Sequence, residues 1–289
     1  MHPFGLQTAP LGAQTFLFHS DWSTATGTSS TALLDASKDR PWDAEKGDGN
    51  GGVAVTDTVS GLPDGITHAL TISHIGDNDN PGVRLDRSLP PFTSGKRAYR
   101  VYFKNVLPDD HAIPTDRHPW QDAAGGSNTN WEFNLTVDGA GQYAPYFDLL
   151  GSCLECEGVQ WHRWTIGGGV QGDASTVVPK DSVYRFEVLL THHPRGDSVD
   201  IEIKMYNADG SVRVDSDEWK RVTDGEPSSV VSWYAFNAAN KDNLQDLQIG
   251  TNGWGGGSTS TPYVTWHWAA LAVCDDWCGP HGNGGIEGN

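Results

Sequence analysis

Short segments in which apolar and polar residues alternate recur along most of the chain, and Gly, Pro, Asn or Asp residues separate them. In residues 198–206 every second residue from Val199 to Met205 is apolar, and the residues between them are charged. Because successive side chains of a β-strand lie on opposite faces, this period predicts a strand with one solvated face. The turn sequence at residues 207–210 follows directly and predicts a hairpin with residues 211–214.

Further segments combine β-branched or aromatic residues with flanking turn residues and are predicted to be strands. They are residues 69–75, 97–106, 131–137, 146–150, 160–166, 182–191, 230–237 and 265–273. A helical period is found only over about one turn, at residues 30–37 and 240–246. Many strands without crossover helices predict an all-β fold, either two stacked antiparallel sheets or a barrel.

The chain of 289 residues is expected to form one domain, because β-sandwiches of more than about 200 residues commonly fold as single units. The predicted domain covers residues 16–278, and the sequence shows no linker or internal repeat that would divide it. Residues 1–15 are predicted to be an N-terminal arm and residues 279–289 a flexible tail, since Gly and Pro are frequent in both.

The chain is strongly acidic: 37 Asp and Glu residues against 19 Lys and Arg residues give a formal charge of −18. Such a charge repels nucleic acid and anionic membrane surfaces. Apolar stretches such as residues 264–273 are far shorter than the roughly 20 residues that span a bilayer. The sequence therefore predicts neither a nucleic-acid partner nor membrane insertion, and it leaves the oligomeric state open.

Residues 1–5 lack the basic and then apolar pattern of a signal peptide, so an extracellular location is inferred from the acidic, Trp-rich composition instead. The four cysteines form two local pairs, Cys153 with Cys156 and Cys274 with Cys278. This spacing predicts two local disulfides, which persist outside the cell. The alternative is a single tetrathiolate zinc site.

Aromatic residues are unusually frequent, with 12 Trp and 8 Tyr. Sugar rings present apolar C–H faces that stack on exposed aromatic planes, so a polysaccharide is the predicted partner. Most of the Trp residues are expected to fill the space between the sheets. The candidates for a glycan-binding groove are Trp161, Trp164, Trp233, Trp254 and Trp266.

Residues 158–164 are the segment most suggestive of chemistry. In a strand Gln160 and His162 lie on one face, whereas Trp161 and Arg163 lie on the other. Gln160 and His162 are therefore predicted to share one site.

The order of elements resembles that of concanavalin A-like jelly rolls. The resemblance consists of an acidic and aromatic entry at residues 18–22, a strand at residues 99–103, a hairpin at residues 184–210 and a closing strand before residues 275–277. It extends over residues 16–278 and implies a two-sheet antiparallel β-sandwich. Polysaccharide lyases, glycoside hydrolases and non-catalytic lectins share this fold, so the resemblance implies a glycan ligand rather than one reaction.

The Gln-x-His spacing resembles a motif of jelly-roll alginate and heparin lyases, in which Gln neutralises the uronate carboxylate and His or Tyr removes the C5 proton. The resemblance implies catalytic roles for Gln160, His162, Arg100 and Tyr102. The arginine-glutamate-arginine strand of alginate lyases is missing, since residues 96–100 carry arginines at a different spacing. The leading hypothesis is an extracellular lyase that cleaves a uronic acid-containing glycan by β-elimination without a cofactor.

Two alternatives remain open at this point: a lectin-like carbohydrate-binding module, and a jelly-roll structural protein of a virion or cell surface. Many folds of this kind hold a structural Ca²⁺ between the first and last strands. The resemblance therefore implies a calcium site at Asp21 and Asp275, in loops rich in the oxygen ligands that Ca²⁺ prefers.

Overall fold

The structure is a computed structural model. It describes residues 16–20, 44–46, 51–56, 59–63, 65–74, 84–90, 92, 94–106, 117–124, 128–137, 143–153, 160–166, 182–192, 198–215, 218–223, 226–228, 234–235, 246–252 and 264–281. Side chains are described at residues 16–19, 59–63, 65–71, 89–90, 92, 94–104, 182–192, 200–215, 218–219 and 267–281. These parts of the chain form 18 β-strands and contain no α-helix.

The strand pairings form two sheets. Sheet A consists of β1 (Phe16–Ser20), β3 (Gly51–Thr56), β4 (Ala69–His74), β6 (Lys96–Val106), β11 (Val183–His192), β12 (Ser198–Asn207), β13 (Val212–Val214), β16 (Tyr234–Ala235) and β18 (Val264–Cys274). In sheet A, β4 and β1 share one edge of β18, and β6, β11 and β12 follow in that order on its other side.

Sheet B consists of β2 (Ala44–Lys46), β5 (Arg84–Ser88), β7 (Arg117–Ala124), β8 (Asn128–Val137), β9 (Tyr143–Cys153), β10 (Gln160–Ile166), β14 (Trp219–Thr223), β15 (Glu226–Ser228) and β17 (Asp246–Asn252). Its order is β2, β5, β17, β7, β8, β9, β10, β14, β15. The end of β9 also pairs with β16, which joins the two sheets into one network of pairings.

The central strands of sheet A have one apolar face. In β6 this face carries Tyr99, Val101 and Phe103, which are buried, and the register places residues of the same kind beside them on β11 and β12. Those neighbours are Phe186, Val188, Leu190, Ile201, Ile203 and Met205, all buried. Burying this face contributes hydrophobic stabilisation to the described part of the chain.

The predicted all-β, antiparallel class is confirmed, because every described pairing is antiparallel. Two sheets that each have one apolar face fit the predicted jelly-roll sandwich. The hairpin predicted at residues 207–210 is also confirmed: β12 pairs with β13, and the Gly210 N–H donates to the Asn207 carbonyl oxygen over 2.9 Å. Gly210 has φ +85°, a conformation that favours glycine. No helix in the described part of the chain is long and apolar enough to cross a membrane.

Candidate functional site

A row of polar residues crosses sheet B on one face. Residues directly opposite each other in an antiparallel pair lie on the same face of the sheet, so the register identifies the members of the row. The polar row consists of Arg163, Asp148, Glu132, Gln121, Gln248 and Asp86, in that order from β10 through β9, β8, β7 and β17 to β5. Each of these neighbouring strands therefore contributes one residue that can form hydrogen bonds with a ligand.

The opposite face of sheet B carries a matching apolar row. Its members are the chain neighbours of the polar row: Trp164, Phe147, Phe133, Trp120, Ile249 and Leu85. A sheet with an apolar row on one face and a polar row on the other commonly packs its apolar face against the core. The polar row therefore marks the face of sheet B opposite to the one expected to pack.

Two aromatic residues lie on the same face as the polar row. Trp161 is two residues from Arg163 on β10, and Tyr146 is two residues from Asp148 on β9. Residues two apart along a strand share a face. Tyr146 is also directly opposite Asn134 of β8, so this face combines aromatic, amide and charged residues.

The middle of the polar row is acidic. Glu132 belongs to β8, the central strand in the order of sheet B, and Asp148 of β9 is directly opposite it. Like charges in directly opposite positions destabilise a sheet. Two carboxylates at this register position are therefore unexpected from stability alone, and such pairs are the groups that carry acid, base and nucleophilic chemistry on sugars.

A second polar cluster lies on sheet A, on the face opposite its apolar residues, and there the side chains are described. Arg185 Nε and Glu187 Oε1 are 2.8 Å apart, and both side chains are at least 95% buried, with exposures of 5% and 1%. These two atoms are not aligned as a hydrogen bond, so charge holds the pair together. The Arg185 guanidinium also lies 3.7 Å from the centre of the Tyr206 ring. Burial raises the pKa of Glu187, and the nearby cations, Arg185 first, oppose that shift.

The segment after β18 covers this cluster, and we call residues 275–281 the strap. The Gly279 N–H donates to Glu187 Oε2 over 3.1 Å, and the His281 N–H donates to the Tyr102 hydroxyl oxygen over 3.1 Å. Arg100 Nη1 donates to the Gly279 carbonyl oxygen over 3.0 Å. Each contact joins the strap to a residue of β6 or β11, so the strap covers this part of the face of sheet A.

The start of the strap is fixed in two further ways. A disulfide joins Cys274, the last residue of β18, to Cys278 in the strap. Lys96 of β6 forms an ion pair with Asp276 over 3.0 Å. The Cys274–Cys278 bridge confirms one of the two predicted disulfides and argues against a zinc site that would use all four thiolates.

A partly buried histidine lies near the other end of this face. His267 of β18 is directly opposite Thr71 of β4, and its Nδ1 is 2.7 Å from the Thr71 hydroxyl oxygen. Burial, and secondarily the charge of Lys104, lowers the pKa of His267 to about 4. Lys104 itself donates to the Ser60 carbonyl oxygen over 3.0 Å.

The four predicted catalytic residues belong to two different sheets. Gln160 and His162 belong to β10 in sheet B, and the register places His162 beside Leu149, on the face of the apolar row. Arg100 and Tyr102 belong to β6 in sheet A, where the strap covers both and leaves them 1% and 3% exposed. Their roles toward a substrate stay predictions.

The other predicted site residues are spread over both sheets. Trp161 lies on the face of the polar row and Trp164 in the apolar row. Trp266 shares a face of β18 with the buried Trp268. Asp275 is exposed at the start of the strap. Trp233, Trp254, Asp21 and Cys156 lie outside the described residues, as does the side chain of Cys153. The described residues contain no group of three or more His, Cys, Asp or Glu that could hold a metal ion.

Sequence reasoning missed the centre of the polar row. Glu132 stands between Trp131 and Phe133, and Asp148 stands between Phe147 and Leu149. A single acid between large apolar residues in a predicted strand marks the polar face, so this signal was present in each strand separately. The pairing of the two acids depends on the register between β8 and β9, which only the structure provides.

No protein-family model matches the chain. A search of curated proteins likewise found no match. Among solved structures, the chain is similar to alginate lyase A1-II′, a member of polysaccharide lyase family 7, with 12% identity and a TM-score of 0.40 over 71% of this chain and 78% of that chain.

Two other solved structures are similar at the same level. The cellulose-induced protein Cip1 has 11% identity and a TM-score of 0.46 over 91% of this chain and 99% of that chain. An alginate lyase from Pseudomonas aeruginosa has 9% identity and a TM-score of 0.42 over 76% of this chain and 84% of that chain. Similarity at these values does not assign the chain to a family or give it an activity.

Proposed function

We propose that the protein is active on polysaccharides and binds a glycan chain across the polar face of sheet B. The polar row carries this proposal, because it continues without a break over six neighbouring strands. At about 4.8 Å between strands the row is about 24 Å long. That length suits several consecutive sugar rings better than a single small molecule.

The composition of this face matches what sugars present. Sugar hydroxyls both donate and accept hydrogen bonds, and the amides of Gln121 and Gln248 do the same. The rings of Trp161 and Tyr146 are of the type that stacks on the apolar C–H face of a sugar. A few polar groups that fix orientation, beside aromatic groups that supply contact area, are typical of ligand sites.

Binding to a panel of immobilised glycans tests the proposal. The panel contains alginate, glucuronan, pectate and glycosaminoglycans together with neutral glucans and xylan. We expect Gln121→Ala and Gln248→Ala to weaken retention of the bound glycan by about tenfold each, since each removes a hydrogen-bonding group worth about 1 to 1.5 kcal/mol. Gln160→Ala is the matched control, because Gln160 belongs to the same sheet but lies on the face of the apolar row.

The binding proposal is overturned if the folded protein retains no glycan of the panel, or if Gln121→Ala and Gln248→Ala bind as the unaltered protein does. A larger loss in Gln160→Ala than in both row variants would instead favour the apolar-row face and the Gln160 and His162 pair. Melting temperatures of all three variants, measured alongside, separate lost binding from lost folding.

β-Elimination on a uronic acid-containing glycan is the finer hypothesis from the sequence, and it has a direct test. A lyase leaves an unsaturated uronate whose double bond absorbs in the ultraviolet. Absorbance that rises with alginate, glucuronan or pectate and is lost in His162→Ala would support a lyase with His162 as its base. The polar row itself favours a different substrate, since it contains three carboxylates and one guanidinium, which together repel a polyanion.

We also propose an extracellular location and a structural Ca²⁺ near Asp275. The Cys274–Cys278 disulfide supports the location, because such bonds persist in oxidising compartments. A calcium site that stabilises the fold would raise the melting temperature in CaCl₂ relative to EDTA, and Asp275→Asn would remove the difference. Equal melting temperatures in the two buffers would contradict the calcium proposal.

A further inference from the structure

We infer that the strap is a reductant-controlled cover of sheet A. Cleavage of the Cys274–Cys278 disulfide by a dithiol releases residues 275–281 and exposes the polar cluster beneath them. The cluster consists of Arg100, Tyr102, Arg185 and Glu187, all of which are buried. The inference goes beyond glycan binding at sheet B and does not depend on it.

The cluster beneath the strap consists of groups that water solvates well. Arg185 and Glu187 form a buried ion pair, and the buried Arg100 lies directly opposite Glu187 on β6. Removing charges from water costs free energy, which a buried ion pair commonly recovers only in part. Opening of the strap returns these groups to water, so hydration of the cluster favours the open state.

The buried anchor of the strap is its disulfide. Cys278 is buried, whereas the other residues of the strap are partly or fully exposed. Its neighbours in the core include Ala98, Leu189 and Cys274. Trp277 packs against the same cluster and is partly buried. The apolar attachment of the strap is therefore concentrated at the residue that the disulfide fixes.

The other contacts that hold the strap are polar. Its hydrogen bonds with Arg100, Tyr102 and Glu187 each contribute modestly, because folding exchanges them for hydrogen bonds with water. The side chains of the Lys96–Asp276 ion pair are 43% and 53% exposed, and exposed pairs contribute little. Without the disulfide these contacts must also offset the conformational entropy lost in ordering the strap, which the bridge lowers in advance.

The closed strap in turn shields the disulfide. Cys274 and Cys278 are 0% and 4% exposed. A thiolate must reach one of the two sulfur atoms before it can react. Reduction therefore follows opening of the strap. The reduced strap is no longer tied to the end of β18, so it stays open for a larger fraction of the time.

The chemical step is thiol–disulfide exchange with a dithiol. One thiolate of the dithiol attacks the Cys278 sulfur, the S–S bond breaks, and Cys274 leaves as a thiolate that takes up a proton. The second thiolate of the dithiol then attacks its own sulfur in the mixed disulfide, which closes a disulfide within the reagent and frees Cys278 as a thiol. The bridge gains two electrons and two protons, and the dithiol loses the same number.

Treatment of the folded protein with dithiothreitol tests the inference. Hydrogen exchange follows the Gly279 and His281 amides, and phenylglyoxal labelling read by mass spectrometry follows the exposure of Arg185. We expect reduction to raise the exchange rate of both amides by about 10- to 30-fold, the loop-entropy effect for so short a loop. Arg185 should become reactive, whereas Arg213, which is partly exposed with the strap closed, should react equally before and after reduction.

Two double variants are matched controls. Cys274→Ser with Cys278→Ser should show fast exchange without dithiothreitol and no further change with it. Cys153→Ser with Cys156→Ser keeps the bridge of the strap and should respond to dithiothreitol as the unaltered protein does. Reoxidation should restore slow exchange, and circular dichroism should show that the sheets stay folded throughout.

Slow exchange and an unreactive Arg185 in protein whose Cys274–Cys278 bridge is reduced, as checked by mass spectrometry, overturn the inference. Unfolding of the sheets on reduction also overturns it, because the bridge then holds the fold rather than a cover. Loss of the response in Cys153→Ser with Cys156→Ser does the same, because it assigns the response to the other cysteine pair. Glycan retention by the oxidised protein is measured separately, so the proposed function can fail without this inference and this inference without it.

Discussion

Arg100 lies beside the bulge of β18, and its guanidinium links β18 to the strap. Nε and Nη2 donate to the Ala270 carbonyl oxygen over 3.2 and 3.0 Å, and Nη1 donates to the Gly279 carbonyl oxygen over 3.0 Å. Ala270 has φ +44°, an uncommon conformation for a residue with a side chain, and it lies in the irregular register between Ala269 and Ala272. Arg100 thereby satisfies a carbonyl that the bulge removes from the strand ladder.

Replacing Arg100 by Met should therefore destabilise the fold. The substitution keeps the length of the side chain but removes three charge-assisted hydrogen bonds in a buried place, which we expect to cost about 3 kcal/mol in the free energy of unfolding. Urea denaturation of the variant and the unaltered protein measures this difference in the free energy of unfolding. Arg213→Met is the control and should cost less than about 1 kcal/mol, because Arg213 is partly exposed. Unchanged stability together with lost glycan cleavage would instead support the catalytic role that the resemblance implies.

His267 gives the fold a pH dependence whose sign follows from its lowered pKa. The imidazole binds a proton near pH 6.5 in the unfolded chain but only near pH 4 in the folded one. Between these values the unfolded state binds more protons, so stability that is complete above pH 6.5 is lost as the pH falls toward 4. We expect the loss to be about 1 to 3 kcal/mol, since the imidazole is only partly buried.

The comparison of His267→Asn with the unaltered protein isolates this contribution from that of the carboxyl groups. The melting temperature of the variant should fall less steeply between pH 6.5 and 4. Thr71→Ser keeps the hydroxyl group opposite the imidazole and should keep the original slope. Parallel curves for His267→Asn and the unaltered protein would contradict the lowered pKa.

At the level of the strap, the disulfide supplements the contacts that hold residues 275–281 on sheet A. Closing a loop this short lowers the conformational entropy of the unfolded chain. In the loop-entropy account this stabilises the folded state by about 2 kcal/mol. The double substitution Cys274→Ala and Cys278→Ala should lower the free energy of unfolding by about that amount. It should also raise the hydrogen-exchange rates of the Gly279 and His281 amides, whose acceptors are Glu187 and Tyr102. Unchanged exchange at both amides would show that the other contacts hold the strap without the disulfide.

Strand positions could be predicted from alternation because a strand in a sheet with one buried face carries apolar residues at every second position. Residues 160–166 coincide with β10, and residues 198–206 coincide with β12 to within one residue. The pattern fails for β7 and β17, where Pro119 and the polar residues of Asp246–Asn252 give no clear period. Residues 240–246 were only a candidate for a short helix; of these, the structure describes Asp246 alone, and it begins β17, which pairs with β5 and β7.

The candidate site could be predicted less completely than the strands, because alternation within a strand does not give the register between strands. Alternation correctly separated Gln160 and His162 from Arg163, since all three belong to one strand. It could not show that Arg163 is beside Asp148, because cross-strand neighbours are far apart in sequence and a shift of one residue would exchange the two faces. It also could not reveal that the strap covers Arg100 and Tyr102, which depends on contacts between segments about 180 residues apart.

Over the whole molecule, the formal charge of −18 is not offset by the basic residues of β6. Lys96 is paired with Asp276, Arg97 donates to the Pro90 carbonyl oxygen, and Lys104 donates to Ser60. Arg100 is buried beneath the strap. The basic cluster at residues 96–104 thus serves contacts within the fold rather than forming a groove for a polyanion.

The affinity of this protein for an uncharged glycan should be nearly independent of salt concentration. Binding of a polyanion through basic residues releases counterions and weakens steeply as salt increases, whereas binding of an uncharged chain releases none. We therefore expect the dissociation constant for the bound glycan to change less than about twofold between about 0.05 and 0.5 M NaCl, where screening differs strongly. Calorimetric titration at the two salt concentrations measures this, with alginate as the charged comparison. Tight binding of alginate at low salt that disappears at high salt would contradict an uncharged substrate, because it would require a basic groove strong enough to overcome the negative field of the whole chain.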